Sequence, residues 1–200
     1  MKHTLNESQT TGAKFLSLSV LFLPSLAFFH LGVGQTSGFL NGFVHPFSGL
    51  DHICAMLAVG LWAAQRGGRA IWAVPLTFIS VMTLGGILGM AGIALPFVDR
   101  GIIISVLILG VLVAASVRMP LVASTIIVGL FALLHGHSHG TEMPQTASAL
   151  AYGMGFIAAT ALLHASGIAV ALAAPKLGLN RVVRFTGAAI ALCGIYLLIA

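Results

Sequence analysis

Apolar residues arrive in blocks of spanning length, and the polar residues that separate them are breakers and charges. After a Gly/Ser/Thr-rich link, six blocks cover roughly 38–64, 70–92, 101–117, 120–138, 146–173 and 182–200. A bilayer's hydrocarbon core takes about 20 helical residues, so the pattern predicts an all-α polytopic membrane helix bundle with six transmembrane helices. Between the blocks stand Arg66-Gly-Gly-Arg69, Pro96 with Asp99-Arg100, Arg118-Met-Pro120, Gly140 to Pro144, and Pro175 to Arg184. These are turn-forming stretches too short to hold a soluble module. Ahead of them, Lys2 and Lys14 precede FLSLSVLFLPSLAFF, which ends near the small residues Ser25 and Ala27. This order of charged, apolar and small residues reads as a signal peptide over 1–27, leaving one transmembrane domain over 28–200. An uncleaved anchor is the alternative.

Composition sharpens this. Hydrophobic residues make up 58% of the 200 and charged ones 6%, which places the chain in the lipid bilayer. A net charge of +5 does not point to nucleic acid, because the basic residues lie singly or in pairs between apolar blocks, without a basic stripe or interleaved aromatics. They set orientation instead. The loops after the first, third and fifth blocks hold Arg66, Arg69, Arg118, Lys176, Arg181 and Arg184, against Arg100 alone in the opposite loops. Basic residues near span ends stay in the cytoplasm, so a mature N-terminus in the periplasm of a bacterial inner membrane is expected.

Two polar clusters stand out against this background. HPFSGLDH opens the first block with His45, Asp51 and His52, and LLHGHSHGTE closes the fourth with His135, His137, His139 and Glu142. By the loop count both clusters reach the outer face. Asp51 and His52 must sit at membrane depth, because the helix from Ile53 to Ala64 rises only about 18 Å, well short of the roughly 30 Å core. Ionisable groups at such depth face a cavity or the bundle interior and mark a functional site. His135, His139 and Glu142 share one helical stripe if the helix continues, with His137 on the other side. Pro46 and Gly49 predict a break in the first block, with Pro46 a candidate start for the helix proper.

Imidazole and carboxylate together suit a borderline divalent metal, giving His45, Asp51, His52, His135, His139 and Glu142 as candidate ligands. HGHSHG by itself could also be an exposed metal-sequestering tract. Two weaker candidates are His164, otherwise a packing residue, and His30. Cleavage after Ala27 would leave His30 third from a free amine, an arrangement that can wrap a square-planar ion. Cys54 and Cys193 lie far apart in the sequence and form no metal-binding spacing. Gly85 with Gly89 and Gly153 with Gly155 would permit close helix approach. The absence of a P-loop excludes ATP hydrolysis by this chain, and no prosthetic group is expected.

The paired motifs His45-Pro-Phe-Ser-Gly-Leu-Asp51-His52 and Leu134-His135-Gly136-His137-Ser138-His139-Gly140-Thr141-Glu142 resemble those of the HupE/UreJ family of hydrogenase and urease accessory proteins. Leu134 stands where that family has Phe, and Ser138 where it has Ala or Val. The resemblance implies a nickel or cobalt permease whose matched His, Asp and Glu positions are functional, with Ni2+ or Co2+ as transported substrate. Other readings of the same residues are an intramembrane zinc hydrolase assisted by Ser48 or Ser138, and a metal-binding accessory protein that does not transport.

Overall fold

The computed structural model describes residues 38–143, 148–179 and 181–200, all within one compact unit, Thr36–Ala200. The signal-peptide expectation and His30 lie outside the described residues. Seven α-helices and two 3-10 turns make up the regular structure, with no strand among the described residues. They are α1 (Gly38–Val44), α2 (Leu50–Arg66), α3 (Ala70–Met90), α4 (Val98–Ala114), α5 (Leu121–Glu142), α6 (Ala149–Ala173) and α7 (Val182–Ile199).

Four of these segments are long and apolar enough to cross a membrane: Ala70–Met90, Leu121–Glu142, Ala149–Leu177 and Val182–Ile199. A fifth arises only if the bent pair Gly38–Phe47 and Leu50–Arg66 counts as one span. The first block is therefore not the continuous helix that its hydropathy suggests. Its two halves meet at 81°, because Pro46 sits in a separate 3-10 turn, His45–Phe47, and Gly49 holds extended backbone (φ −113°, ψ 130°) ahead of Leu50. Pro46 does not open the long helix; Leu50 does. The third block is shifted by about a turn, since α4 starts at Val98 and has 17 residues.

Glycine seams hold the helices together. A Cβ placed on Gly85 or Gly89 of α3 would collide with the carbonyls of Leu133 and His137, and one on Gly136 or Gly140 of α5 with those of Met82 and Gly86. Backbone therefore rests directly on backbone along α3 and α5, the close approach small residues allow in lipid. Gly60 and Gly167 bring α2 and α6 together in the same way, Gly42 and Gly155 join α1 to α6, and Gly110 and Gly187 join α4 to α7. Gly153 meets nothing within 4 Å, so only its neighbour Gly155 behaves as the pairing suggested.

One end of the bundle is tied by polar contacts. Trp62 Nε1 donates to Val117 O at 2.9 Å, Gln65 Nε2 to Val113 O at 3.0 Å, and Arg184 Nε to Ala114 O at 2.8 Å. These bonds bring side-chain donors to carbonyls at and beyond the end of α4. They also gather the end of α2, the end of α4 and the start of α7 on one face, bringing Arg66 and Arg184 to the same end.

Candidate metal site

At the opposite end the two polar clusters converge. Helix α5 continues through the whole HGHSHG tract to Glu142, so this segment is ordered helix, and His135, His137 and His139 are buried. An exposed sequestering tract is excluded for these three residues. Because the helix is unbroken, His135 and His139 present to the same side, while His137 turns away and places Nε2 2.7 Å from Ile93 O. On the partner element, the bend before Leu50 lets His45 face the same space as His52; their ring centroids are 6.1 Å apart.

The imidazoles pack in a column. The His52 ring lies 4.4 Å from that of His139 and 5.3 Å from that of His135, and His45 lies 4.9 Å from His139. His45 Nε2 stands 3.6 Å from Glu142 Oε2. Side-chain exposure falls from 53% at Glu142 and 31% at His45 to 11% at His52. His139 and His135 are 4% and 0% exposed. The cluster thus runs from an open rim to a closed interior.

Two sets of three residues have the donor geometry for an ion: His52, His135 and His139, and His45, His139 and Glu142. In each, one ligand atom per residue lies within 4.8 Å of the others. Donors arranged tetrahedrally around an ion at about 2.1 Å stand roughly 3.4 Å apart, so the rings would draw in to bind one. His139 belongs to both sets. Asp51 joins neither, and acts on His52 instead. All six ligands expected from the sequence meet here, and Glu142 pairs with His45 and His139 rather than with His135.

The surrounding polar atoms fix which nitrogens are free. Asp51 Oδ1 lies 2.5 Å from His52 Nδ1 and 2.9 Å from the His52 backbone nitrogen. An ionised carboxylate only accepts, so Nδ1 carries the proton and Nε2 keeps its lone pair. Ser105 Oγ spends its hydrogen on Ile102 O at 2.6 Å, and therefore accepts from His135 Nε2 at 2.9 Å. That leaves His135 Nδ1 free. His52 Nε2, His135 Nδ1 and both nitrogens of His139 are buried with no hydrogen-bond partner. Orphaned nitrogens on rings packed this closely are what a borderline divalent cation requires, and the carboxylate behind His52 and the hydroxyl behind His135 are the usual orienting shell.

Sequence reasoning missed Ser105, although a serine within IIISVLIL is a polar interruption of an apolar run. It also missed the aromatic wall. Tyr152 and Phe156 lie 6.1 and 6.2 Å from His45, and Phe156 is 4.1 Å from His139. A cavity of about 290 Å³ opens beside His139 between α3, α5 and α6, walled also by Met82 and Met143. Cys54 and Cys193, distant in sequence, are neighbours across α2 and α7; both are free thiols. His164 is buried in the core beside Phe78, in neither triad.

Comparison with known proteins agrees with the motif resemblance. The family model for the HupE / UreJ protein matches residues 18–197. The chain is 50% identical over 184 residues to Protein HupE of Rhizobium leguminosarum bv. viciae, covering 92% of this chain and 95% of that protein. No solved structure matches.

Proposed function

The chain belongs to the HupE/UreJ family, and on that premise we propose that it is a secondary permease for a divalent metal, nickel or cobalt, supplying hydrogenase or urease maturation. Its place is the bacterial inner membrane, with the bent pair as one span and α4 as the sixth. At 17 residues, α4 rises about 25 Å. The histidine cluster faces the periplasm, and the Arg66 and Arg184 end faces the cytoplasm, following the distribution of basic loops.

One observation carries the reading: His139 is common to both triads. A ring shared by both triads lets one ion pass between them without losing all of its ligands, so the triads are read as successive positions for that ion. Glu142 and His45 at the rim would receive it, and His52 with His135 would take it inward, with His139 retained throughout. Such an exchange trades ligands one at a time and avoids a site that closes four imidazoles around the ion and holds it. A transporter needs that modest affinity. Two of the four acidic residues in the chain, Asp51 and Glu142, lie in the cluster and draw cations towards it. A membrane potential of 100 mV adds about 4.6 kcal/mol per divalent ion, twice the single-charge value.

A hydrolase reading has less support. Ser48 Oγ donates to His45 O at 2.8 Å and Ser138 Oγ to Glu142 Oε1 at 2.6 Å, so both hydroxyls are engaged within the protein.

The deciding experiment is uptake of radiolabelled nickel and cobalt by sealed proteoliposomes, with and without a pH gradient. Accumulation without any organic substrate supports the permease. Binding that never leads to accumulation would establish a metal-holding accessory protein instead.

A further inference from the structure

Two described histidines stand outside the triads. His137 is satisfied by Ile93 O. His164 is not: it is 2% exposed, and both of its ring nitrogens are buried without a partner. An ionisable ring in that state costs free energy with no return in the static fold.

Its position gives it a use. His139 and His135 lie three and seven residues from the end of α5 at Glu142, so His135 is about 10 Å along the helix from the rim. His164 lies fifteen residues beyond Ala149, the rim end of α6, or about 22 Å. It is therefore roughly two helical turns deeper than His135. The ring of Phe78 joins the two levels, with its centroid 5.9 Å from that of His135 and 5.1 Å from that of His164, edge to face with the latter. One turn back along α6, on the same face, the fully buried Thr160 donates its hydroxyl to Met82 Sδ at 3.8 Å. A nitrogen with a free lone pair, a hydroxyl and a thioether thus lie in the core between the level of His135 and that of His164.

We propose that His164 is an inner coordination station for the transported divalent cation, receiving it from His135 past the ring of Phe78. The inference rests on the permease reading and adds to it a second site on the cytoplasmic side of the outer triads. From His164, α6 runs nine more residues to Ala173, about 14 Å, so the ion leaves the station with less than half of the helix still to pass.

The test uses the full chain in sealed proteoliposomes, with His164→Gln, His164→Phe, and His164→Cys made in a Cys54→Ala/Cys193→Ala parent. Nickel binding by equilibrium dialysis reports the outer triads; nickel accumulation reports passage. The expected result is that H164Q and H164F bind nickel as the unaltered chain does but accumulate it at least about tenfold more slowly, a ligand-loss effect of ordinary size. H164C should transport, and should be blocked by Cd2+ at concentrations that leave its cysteine-free parent unaffected, with a chelator restoring uptake. Undiminished accumulation by H164Q or H164F would overturn the station, and so would an H164C protein that Cd2+ does not block. If the unaltered chain itself accumulates no metal, the permease reading fails, an outcome distinct from either of these.

Discussion

Ser105 Oγ accepts the Nε2 hydrogen of His135 at 2.9 Å because its own hydrogen is committed to Ile102 O. The hydroxyl thereby selects the tautomer that leaves Nδ1 bare in a ring 5.3 Å from that of His52. Ser105→Ala should leave a buried N–H without a partner and release the ring. Loss of an orienting partner of this kind typically weakens metal affinity about 10- to 100-fold. The check is the concentration dependence of nickel uptake, in which the half-saturating concentration should rise by that factor.

Asp51 does the same for His52, with an additional charge. Asp51→Ala removes the acceptor at Nδ1 and one of the two carboxylates near the site. Binding measured by equilibrium dialysis should weaken by at least as much as for Ser105→Ala. Affinity equal to that of the unaltered chain would mean that Asp51 does not orient the ring.

Among the histidines, His52 and His135 belong to a triad with the geometry to hold an ion and His137 does not. His52→Ala and His135→Ala should each abolish uptake at low external metal while the protein still accumulates in the membrane. His137→Gln should transport at a near-normal rate per folded molecule, since His137 is bonded to Ile93 O and faces away from the triads. A transport defect in His137→Gln as deep as that of His135→Ala would refute this assignment of faces on α5.

Glu142 is half exposed at the rim and touches His45. Glu142→Gln should therefore impair capture more than passage: the half-saturating concentration rises severalfold and the maximal rate changes little. Initial uptake rates over a range of nickel concentrations separate the two effects.

The seam between α3 and α5 makes a structural prediction. Gly136→Ala places a methyl group against Met82 O, whereas Gly153→Ala meets nothing within 4 Å. The first should cost about 1–3 kcal/mol, as overpacking commonly does, and lower the unfolding midpoint in detergent. The second should leave it unchanged.

Which of these features could be read in the sequence follows from what each depends on. The convergence of His45, Asp51 and His52 with His135, His139 and Glu142 was legible because spacing, loop charge and helix rise are local quantities. The break at Pro46 and Gly49 was legible for the same reason, though not its outcome, in which the long helix waits until Leu50. Hydropathy could not register the 81° bend, since apolar residues line both arms. Ser105, Phe78 and Phe156 stayed hidden because their roles come from other helices laid against them. The pairing of Cys54 with Cys193 likewise depends on α7 packing beside α2, which no spacing encodes.

The glycine seams also sort the bundle mechanically. Where main chain lies on main chain there are no side chains to repack, so α1, α2 and α6 form one stiff block and α3 with α5 another. His45 and His52 ride on the first block, and His135, His139 and Glu142 on the second. A cation held by His52 and His139 would therefore span the boundary between the two blocks.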